Sequence, residues 1–281
     1  LGDSFTQAVQ VPNEMRYTEK LGSLLSLSNP GLKYNVLNYA AGGYSTCNEY
    51  FVLFDNAINY EPNVVFLFVY TGNDFTENVD DAPRRPVCFF NESGVMEGFD
   101  PPEDVKREDK SFSEKLILKT HTGALFMNFF RFSPISFKVA SFFGSEPHYN
   151  AADLFDVRLR GENEELIQNT SYIIKGIDRQ LYSEGIPLVV VIIPHRIQIQ
   201  DDIWEGVVEK YGYESELYDL RFPNNYLANY LFDEEILYID LYEAFRDDYM
   251  ENGKDLYFKH DGHLSERGHE LLALTVFEVI H

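Results

Sequence analysis

Four runs of apolar residues predict the β-strands of this chain. They lie at residues 34–40, 64–70, 186–193 and 236–241. The first run is short and mixed, whereas the second and third are almost continuously apolar. Continuous apolar runs are typical of parallel strands that are covered on both faces. The pattern therefore predicts a mostly parallel sheet buried between other elements.

Apolar positions at helical spacing separate these runs. One set follows the spacing i, i+3, i+4, i+7 and i+8, which turns one face of a helix toward the core: Tyr50, Leu53, Phe54, Ala57 and Ile58. A second set runs from Leu166 to Leu181, and a last helix is expected to begin after Ser265, a good N-cap residue. Strands that alternate with helices predict an α/β fold, here a three-layer α/β/α sandwich.

The carboxyl edge of this sheet is where we expect a functional site. In open parallel sheets, ligands bind beyond the carboxyl ends of the strands. The segments 41–46, 71–75 and 194–197 each follow a predicted strand, so they should meet at one edge.

Residues 76–161 interrupt the alternation of strands and helices. They hold several prolines, a charged run at 103–110 and an aromatic-rich stretch at 125–143. We interpret the chain as one domain over residues 1–281 that carries 76–161 as an insertion or cap beside the site. The aromatic stretch has three interpretations: a helical cap packed on the core, a lid or acyl pocket, or a surface that faces a partner or a membrane.

Composition narrows the classes of function. The 281 residues are 44% hydrophobic and 15% aromatic, enough for a sizeable core, and 46 acidic against 23 basic side chains give a net charge of −23. Such a surface repels phosphate backbones and anionic headgroups, so nucleic acid is not an expected partner. The sequence has no apolar run of about 18 residues, and so predicts no membrane span.

The two cysteines, Cys47 and Cys88, define no disulfide framework. We favour two free buried thiols over a bridge between them. Neither cysteine has the spacing of a metal site, and no group of His, Asp and Glu has that spacing either. The sequence therefore predicts a mechanism that uses no metal and no cofactor.

The two ends of the chain carry residue types that fit nucleophilic catalysis. A Gly-Asp-Ser turn ends at Ser4, and an Asp-Gly-His segment ends at His263. A serine hydroxyl becomes a good nucleophile when an imidazole takes its proton and a carboxylate orients that imidazole. We therefore expect Ser4 to be the nucleophile, His263 the general base and Asp261 the orienting acid.

Two loops between these ends could supply an oxyanion hole. Gly43 would offer a backbone N–H, and Asn73 would offer its side-chain amide, a neutral donor. The Ser4 N–H would be a third donor. Gly42 is adjacent to Gly43, so the glycine role could belong to either. Asp74 is expected to brace its loop or cap the next segment.

Four of these residues, in this order along the chain, resemble the motifs of the SGNH (GDSL-type) hydrolase family: Ser4, Gly43, Asn73 and His263. The resemblance covers roughly residues 1–75 and 162–281. It implies a flavodoxin-like parallel sheet and catalysis through an acyl-serine. The acid here lies two residues before the histidine, whereas three is the commoner family spacing. A Ser–His dyad assisted by a backbone carbonyl is therefore an alternative to the role of Asp261.

The remaining histidines carry weaker signals. His195 follows the predicted strand 186–193, so it should face the same edge as the site, and we treat it as a candidate substrate contact. His260 is expected on the surface or satisfied in the core, and His269 is expected to be structural.

Together, the residues and the resemblance predict an esterase that hydrolyses ester-linked acyl groups, with O-acetyl groups on carbohydrate as one substrate class. The alternatives are a carbohydrate O-acyltransferase and, from another class, a catalytically silent binding domain. The resemblance also fits an exported bacterial enzyme. We expect a first strand, with a signal or membrane anchor, upstream of Leu1; the sequence itself assigns no location and no oligomeric state.

Overall fold

Five β-strands and ten α-helices form within residues 1–79, 85–101, 152–253 and 255–281, the part of the chain that this computed structural model describes. The strands are β1 (Val65–Tyr70), β2 (Val87–Phe90), β3 (Met96–Asp100), β4 (Leu188–Ile193) and β5 (Leu237–Asp240). The helices are α1 (Ser4–Gln7), α2 (Tyr17–Ser28), α3 (Thr46–Asp55), α4 (Asp74–Glu77), α5 (Arg160–Ser183), α6 (Arg196–Ile199), α7 (Asp201–Tyr211), α8 (Phe222–Asp233), α9 (Tyr242–Asn252) and α10 (Glu266–Ile280).

The described residues belong to one compact unit, Leu1–Pro102 with Ala151–His281. A second unit, Glu103–Asn150, lies outside them. The charged run at 103–110 and the aromatic stretch at 125–143 fall in that second unit, so their three interpretations stay predictions. No helix of the described unit is long and apolar enough to cross a membrane.

Three parallel strands form the central sheet in the order β1–β4–β5. β4 lies in the middle, and all six of its residues are buried. β1 pairs with β4 along its whole length, from Val65 opposite Leu188 to Tyr70 opposite Ile193. The continuous apolar runs thus became the buried strands, and the α/β fold with a parallel sheet is confirmed.

The predicted strand at residues 34–40 is wrong. This segment makes no backbone ladder bonds among the described residues. Leu37 is 52% exposed, so the apolar run is not covered on both faces. Side-chain bonds hold it instead: the Asn38 amide donates to Thr6 O at 2.8 Å, and its Oδ1 accepts from the Ala40 N–H at 3.0 Å. A strand without ladder partners leaves its backbone to other donors and acceptors.

A disulfide joins Cys47 in α3 to Cys88 in β2, so the preference for two free thiols is wrong. The cysteines are 41 residues apart, and Cys88 lies on the first strand of the β2–β3 hairpin. Their spacing in the sequence gave no sign that they would be close. A loop of this length stabilises the fold by about 4 kcal/mol in the loop-entropy description.

Two predicted helices lie where the apolar pattern placed them. α5 contains the whole set from Leu166 to Leu181, and α10 begins directly after Ser265. The Ser265 hydroxyl accepts from the Gly268 N–H at 3.2 Å, which caps the helix as expected. The turn that precedes α10 carries His263.

Candidate active site

Ser4 is the first residue of α1, a single helical turn. The Asp3 carboxylate caps this turn, because its Oδ1 accepts from the Phe5 N–H at 2.8 Å. Phe5 points into the core, where its ring stacks on Tyr70 of β1 at 3.7 Å between centroids. Ser4 is thereby fixed at the carboxyl edge of the sheet, next to the end of β1.

His263 lies against the nucleophile. Its Nε2 is 2.8 Å from Ser4 Oγ, and its ring packs on Phe5 at 4.7 Å. The other ring nitrogen, Nδ1, shares a short hydrogen bond with Asp261 Oδ1. A donor at Nδ1 leaves Nε2 as the acceptor for the serine proton. The structure therefore brings Ser4, His263 and Asp261 together in the order that nucleophilic catalysis needs.

The turn between Asp261 and His263 allows the two side chains to meet although they are only two residues apart. Gly262 has φ +84, a left-handed conformation that glycine adopts without steric cost. This turn folds Asp261 back, so that its Oδ1 also accepts from the backbone N–H of His263 at 3.2 Å. His260, the neighbour before the acid, is exposed at the surface.

Asn73 follows β1 and lies beside the nucleophile turn. Its Nδ2 donates to Asp3 Oδ2 over 3.4 Å, a long hydrogen bond, while its buried Oδ1 has no hydrogen-bond partner among the described residues. Asp74 braces this loop, as predicted: its Oδ2 accepts from the Tyr70 N–H at 2.7 Å. The amide of Asn73 is thus held within reach of Ser4 through Asp3.

The glycine loop approaches Ser4 from the other side. A Cβ added to Gly42 would lie 3.7 Å from Ser4 Cβ, so the backbones are close. The Gly42 N–H donates to Gln7 Oε1 at 2.9 Å, whereas the Gly43 N–H has no hydrogen-bond partner among the described residues. Of the two glycines, Gly43 is therefore the one with a donor to offer. Its φ of +82 favours glycine.

Sequence reasoning missed Arg85, which touches this loop. Its Nε donates to Gly43 O at 2.9 Å, and its Nη2 pairs with Glu77 Oε1 at 2.6 Å. Arg85 is 42 residues from Gly43 and follows no motif, so only the fold could reveal the contact.

Buried carboxyl groups underlie the Asn73 side of the site. Burial is the first cause that raises the pKa of each of four carboxyls: Asp3, Glu49, Asp74 and Glu77. Hydrogen bonds from the Phe5 N–H and the Asn73 amide work in the opposite direction on the pKa of Asp3. At Glu77, the Asn73 side chain and the Arg85 cation lower the pKa against the effect of burial. These carboxyl groups are shielded from solvent, and shielding disfavours their charged forms.

His195 caps α6 at the end of β4. Its Nδ1 accepts from the Ile197 N–H at 3.2 Å, which leaves Nε2 as the protonated nitrogen. Burial, and secondarily the Arg196 cation, lowers the pKa of His195 to about 3, so the ring is neutral at pH 7. A Cβ on Gly72 would lie 2.7 Å from His195 Cδ2, so the imidazole borders the Asn73 loop. The structure brings His195 to the edge of the site.

Gln198 is a second residue that sequence reasoning missed. Its Oε1 accepts from the Thr71 hydroxyl at 2.7 Å and from the His195 N–H at 2.6 Å. Its amide in turn donates to Asn224 Oδ1 at 2.8 Å. This buried side chain links the ends of β1 and β4, and a single glutamine in a helix carries no sequence signal for such a role.

His269 is structural, as expected. It is 1% exposed and stacks on Tyr17 at 5.5 Å. Burial, as the largest cause, lowers the pKa of His269 to about 4. Among the described residues, no group of three or more His, Cys, Asp or Glu side chains is placed to hold a metal ion.

One family model matches the C-terminal part of the chain. Residues 154–281 match the family model described as an SGNH hydrolase-like domain, acetyltransferase AlgX. The matched part includes Asp261 and His263 but not Ser4. No curated protein sequence matches the chain.

Three solved structures are similar to this chain at low sequence identity. An acetyl xylan esterase, AlAXEase, is 14% identical with a TM-score of 0.53, covering 100% of this chain and 97% of its own. A lipolytic G-D-S-L family protein from Veillonella parvula DSM 2008 is 15% identical with a TM-score of 0.46, covering 99% and 94%. LAE5, an alpha/beta hydrolase from the metagenome of Lake Arreo, is 10% identical with a TM-score of 0.48, covering 99% and 91%. The fold is SGNH-like, and the resemblance drawn from the four motifs is confirmed.

Proposed function

We propose that this protein is a serine esterase that cleaves ester-linked acyl groups through an acyl-serine intermediate. One observation carries the proposal. His263 Nε2 lies 2.8 Å from Ser4 Oγ, while Nδ1 of the same ring is hydrogen-bonded to Asp261. A serine, an imidazole and a carboxylate in this arrangement form a catalytic triad.

The first half of the reaction acylates Ser4. Its Oγ attacks the ester carbonyl carbon while the Oγ proton passes to His263 Nε2. Asp261 stabilises the imidazolium that forms, and the side chains of His263 and Asp261 are only 22% and 26% exposed. When the tetrahedral intermediate collapses, the bond to the alcohol oxygen breaks, and that oxygen leaves with the proton from His263.

The carbonyl oxygen carries negative charge in the intermediate, and three donors would receive it: the Ser4 N–H, the Gly43 N–H and the Asn73 amide. In the structure, Asn73 Nδ2 donates one N–H to Asp3 Oδ2 over 3.4 Å. That long bond can yield to a stronger, charge-assisted one when an oxyanion forms. Donors held in place before the reaction stabilise the transition state without reorganisation.

The second half of the reaction frees the enzyme. A water molecule attacks the acyl carbon while His263 Nε2 takes its proton, and the serine oxygen leaves with that proton as the acid is released. If an alcohol replaces water as the attacking group, the same steps transfer the acyl group instead.

We place O-acetyl groups on carbohydrate first among the substrates. Two comparisons support this choice: one structure with the same fold is an acetyl xylan esterase, and the matched family model is named for an acetyltransferase. The latter name favours carbohydrate O-acyltransfer as the second candidate function. His195 would contact the substrate, with its Nε2–H donating to a sugar hydroxyl or to the ester oxygen.

The test measures hydrolysis of p-nitrophenyl acetate, butyrate and octanoate. We expect acetate to be the best substrate, and we expect Ser4→Ala to lower kcat/KM by about 10⁴-fold or more. Ser23→Ala, which removes an exposed hydroxyl that donates to Glu19 O, is the matched control and should keep full activity. A fluorophosphonate should label the wild type but not Ser4→Ala.

Adding a soluble xylo-oligosaccharide distinguishes the two candidate functions. Acetylated sugar that forms faster than free acetate would favour transfer over hydrolysis. Comparable turnover by Ser4→Ala and the wild type would refute the acyl-serine mechanism altogether.

A further inference from the structure

Arg85 connects the two loops that carry the proposed oxyanion donors. Its Nε donates to Gly43 O at 2.9 Å, and its Nη2 forms a 2.6 Å ion pair with Glu77 of α4. The side chains of Arg85 and Glu77 are 20% and 15% exposed, so the pair is shielded more than a surface salt bridge. One guanidinium therefore touches the glycine loop and the Asn73 helix at once.

Glu77 transmits this contact to Asn73. Asn73 is the N-cap of α4, and its carbonyl accepts from the Glu77 N–H at 2.9 Å. The Asn73 side-chain amide in turn donates to Asp3 Oδ2 at 3.4 Å. A continuous polar chain thus runs from Asp3, next to the nucleophile, through Asn73 and Glu77 to Arg85.

The glycine loop needs such support. A glycine backbone rotates easily, and an N–H that rotates away from the oxyanion gives no stabilisation. The Gln7 side chain holds the N–H of Gly42 at 2.9 Å, and Arg85 holds the carbonyl of Gly43. The Gly43 N–H lies between these two fixed points.

Arg85 is itself anchored. Cys88 lies three residues further on and is bonded to Cys47 in α3, the helix that follows the glycine loop. The disulfide therefore ties the segment that carries Arg85 to the helix that directly follows the glycine loop. Because the guanidinium is restrained before substrate arrives, little entropy is lost in using it.

We propose that Arg85 is a positioning residue for the oxyanion hole, acting through Gly43 O and Glu77 rather than by touching substrate. The inference rests on the proposed function. Its consequence is specific: loss of Arg85 weakens an interaction made in the transition state, so kcat falls while KM changes little.

The kinetic test compares Arg85→Ala, Arg85→Lys and Arg246→Ala with p-nitrophenyl acetate. We expect kcat to fall about 10- to 100-fold in Arg85→Ala, because the donors persist but lose their alignment. Lysine should not rescue, since one ammonium cannot reproduce the guanidinium fork. Guanidinium ion at non-denaturing millimolar concentration should restore part of kcat in Arg85→Ala, which a merely structural defect would not allow.

Arg246→Ala is the matched control. Arg246 also bonds a backbone carbonyl, Ile199 O at 2.6 Å, and a carboxylate, Asp201 at 2.8 Å, but it contacts none of the proposed catalytic or oxyanion residues. Its kcat should equal that of the wild type. Urea unfolding of each variant will show that the fold is retained.

A measurement independent of activity separates this inference from the proposed function. Amide hydrogen exchange of a peptide spanning residues 41–46 should be faster in Arg85→Ala than in Arg246→Ala or the wild type. Unchanged exchange together with unchanged kcat would overturn the role of Arg85 and leave the esterase proposal standing. If the wild type showed no Ser4-dependent turnover, the proposed function would be refuted instead. Unchanged hydrogen exchange in Arg85→Ala would even then refute the positioning role of Arg85.

Discussion

The two sides of the candidate active site are built in opposite ways. The acid–base side, Asp261 and His263, comes from one turn of three residues, and both side chains reach solvent. The oxyanion side, Gly43, Asn73 and Arg85, comes from three separate segments that side-chain bonds hold together over buried carboxyls. Local backbone geometry fixes the first side, whereas tertiary contacts fix the second.

This difference fits the tasks that we propose for the two sides. A general base must exchange protons with the leaving alcohol and with water, so partial exposure suits it. Oxyanion donors act by being aligned before charge develops, so they gain from a rigid and shielded frame. Substitutions on the acid–base side should therefore abolish turnover. Substitutions on the oxyanion side should lower kcat but leave measurable turnover.

The largest effect is expected on the acid–base side. His263→Ala should lower kcat by about 10⁴-fold or more, because the variant loses the imidazole whose Nε2 lies 2.8 Å from Ser4 Oγ. Asp261→Asn should lower kcat by a comparable factor, since an amide can donate to His263 Nδ1 and so favour the wrong tautomer of the ring. Steady-state kinetics with p-nitrophenyl acetate will measure both losses.

His260→Ala is the control for these variants, because it alters the same exposed loop without touching Ser4. If Asp261→Asn and Asp261→Ala both kept most of the activity, the site would work as a Ser–His dyad. The acid would then have no catalytic role in this chain, whatever its distance from the ring.

A smaller effect is expected on the oxyanion side. Asn73→Ala should lower kcat by about 10²- to 10³-fold with KM nearly unchanged, the usual consequence of losing one oxyanion donor. Asn73→Asp should be worse than alanine, because a carboxylate repels the developing charge and has no N–H to donate.

Asn59→Ala offers a matched control, since within the described part of the chain its amide donates only to the backbone carbonyls of Asp55 and Asn56. Measuring kcat and KM separately is essential to this comparison. A rise in KM at constant kcat would mean that Asn73 binds the substrate rather than the transition state.

Sequence could predict the parts of the molecule that local patterns determine. The apolar runs predicted β1 and β4 because a buried parallel strand has few polar positions. The shorter run at 236–241 predicted β5, which is only partly buried. Ser4, Asp261 and His263 could be named because their roles require fixed residue types within short segments. The prediction for 34–40 was wrong because an apolar pattern shows that a segment can form a strand. It does not show that a neighbouring strand will pair with that segment.

The rest depended on contacts between distant segments. The Cys47–Cys88 bond, the Arg85 contact with Gly43 and the hydrogen bonds of Gln198 each join residues far apart in sequence. A lone arginine or glutamine has no pattern that distinguishes it from an ordinary surface residue. On the oxyanion side, the sequence could therefore name candidate donors but not the contacts that hold their loops together.

The smallest effect concerns protonation on the buried side. Burial lowers the pKa of His195 to about 3, whereas an unfolded histidine titrates near 6.5. Between these values the unfolded chain binds a proton that the folded chain refuses, so this histidine costs stability as pH falls below about 6.5. At pH 5.0 the loss relative to pH 7.5 should be about 2 kcal/mol, from about 1.4 kcal/mol per pH unit.

His195→Asn isolates this contribution. Asparagine keeps the capping acceptor for the Ile197 N–H but does not titrate. The free energy of unfolding in urea should therefore fall less between pH 7.5 and 5.0 in the variant than in the wild type, by about 2 kcal/mol. Between pH 7.5 and 9.0, where His195 is neutral in both states, the two proteins should show parallel stability. If the wild type and His195→Asn lost the same free energy of unfolding on acidification, His195 would be protonated in the folded protein. The buried side of the site would then be as open to solvent as the acid–base side.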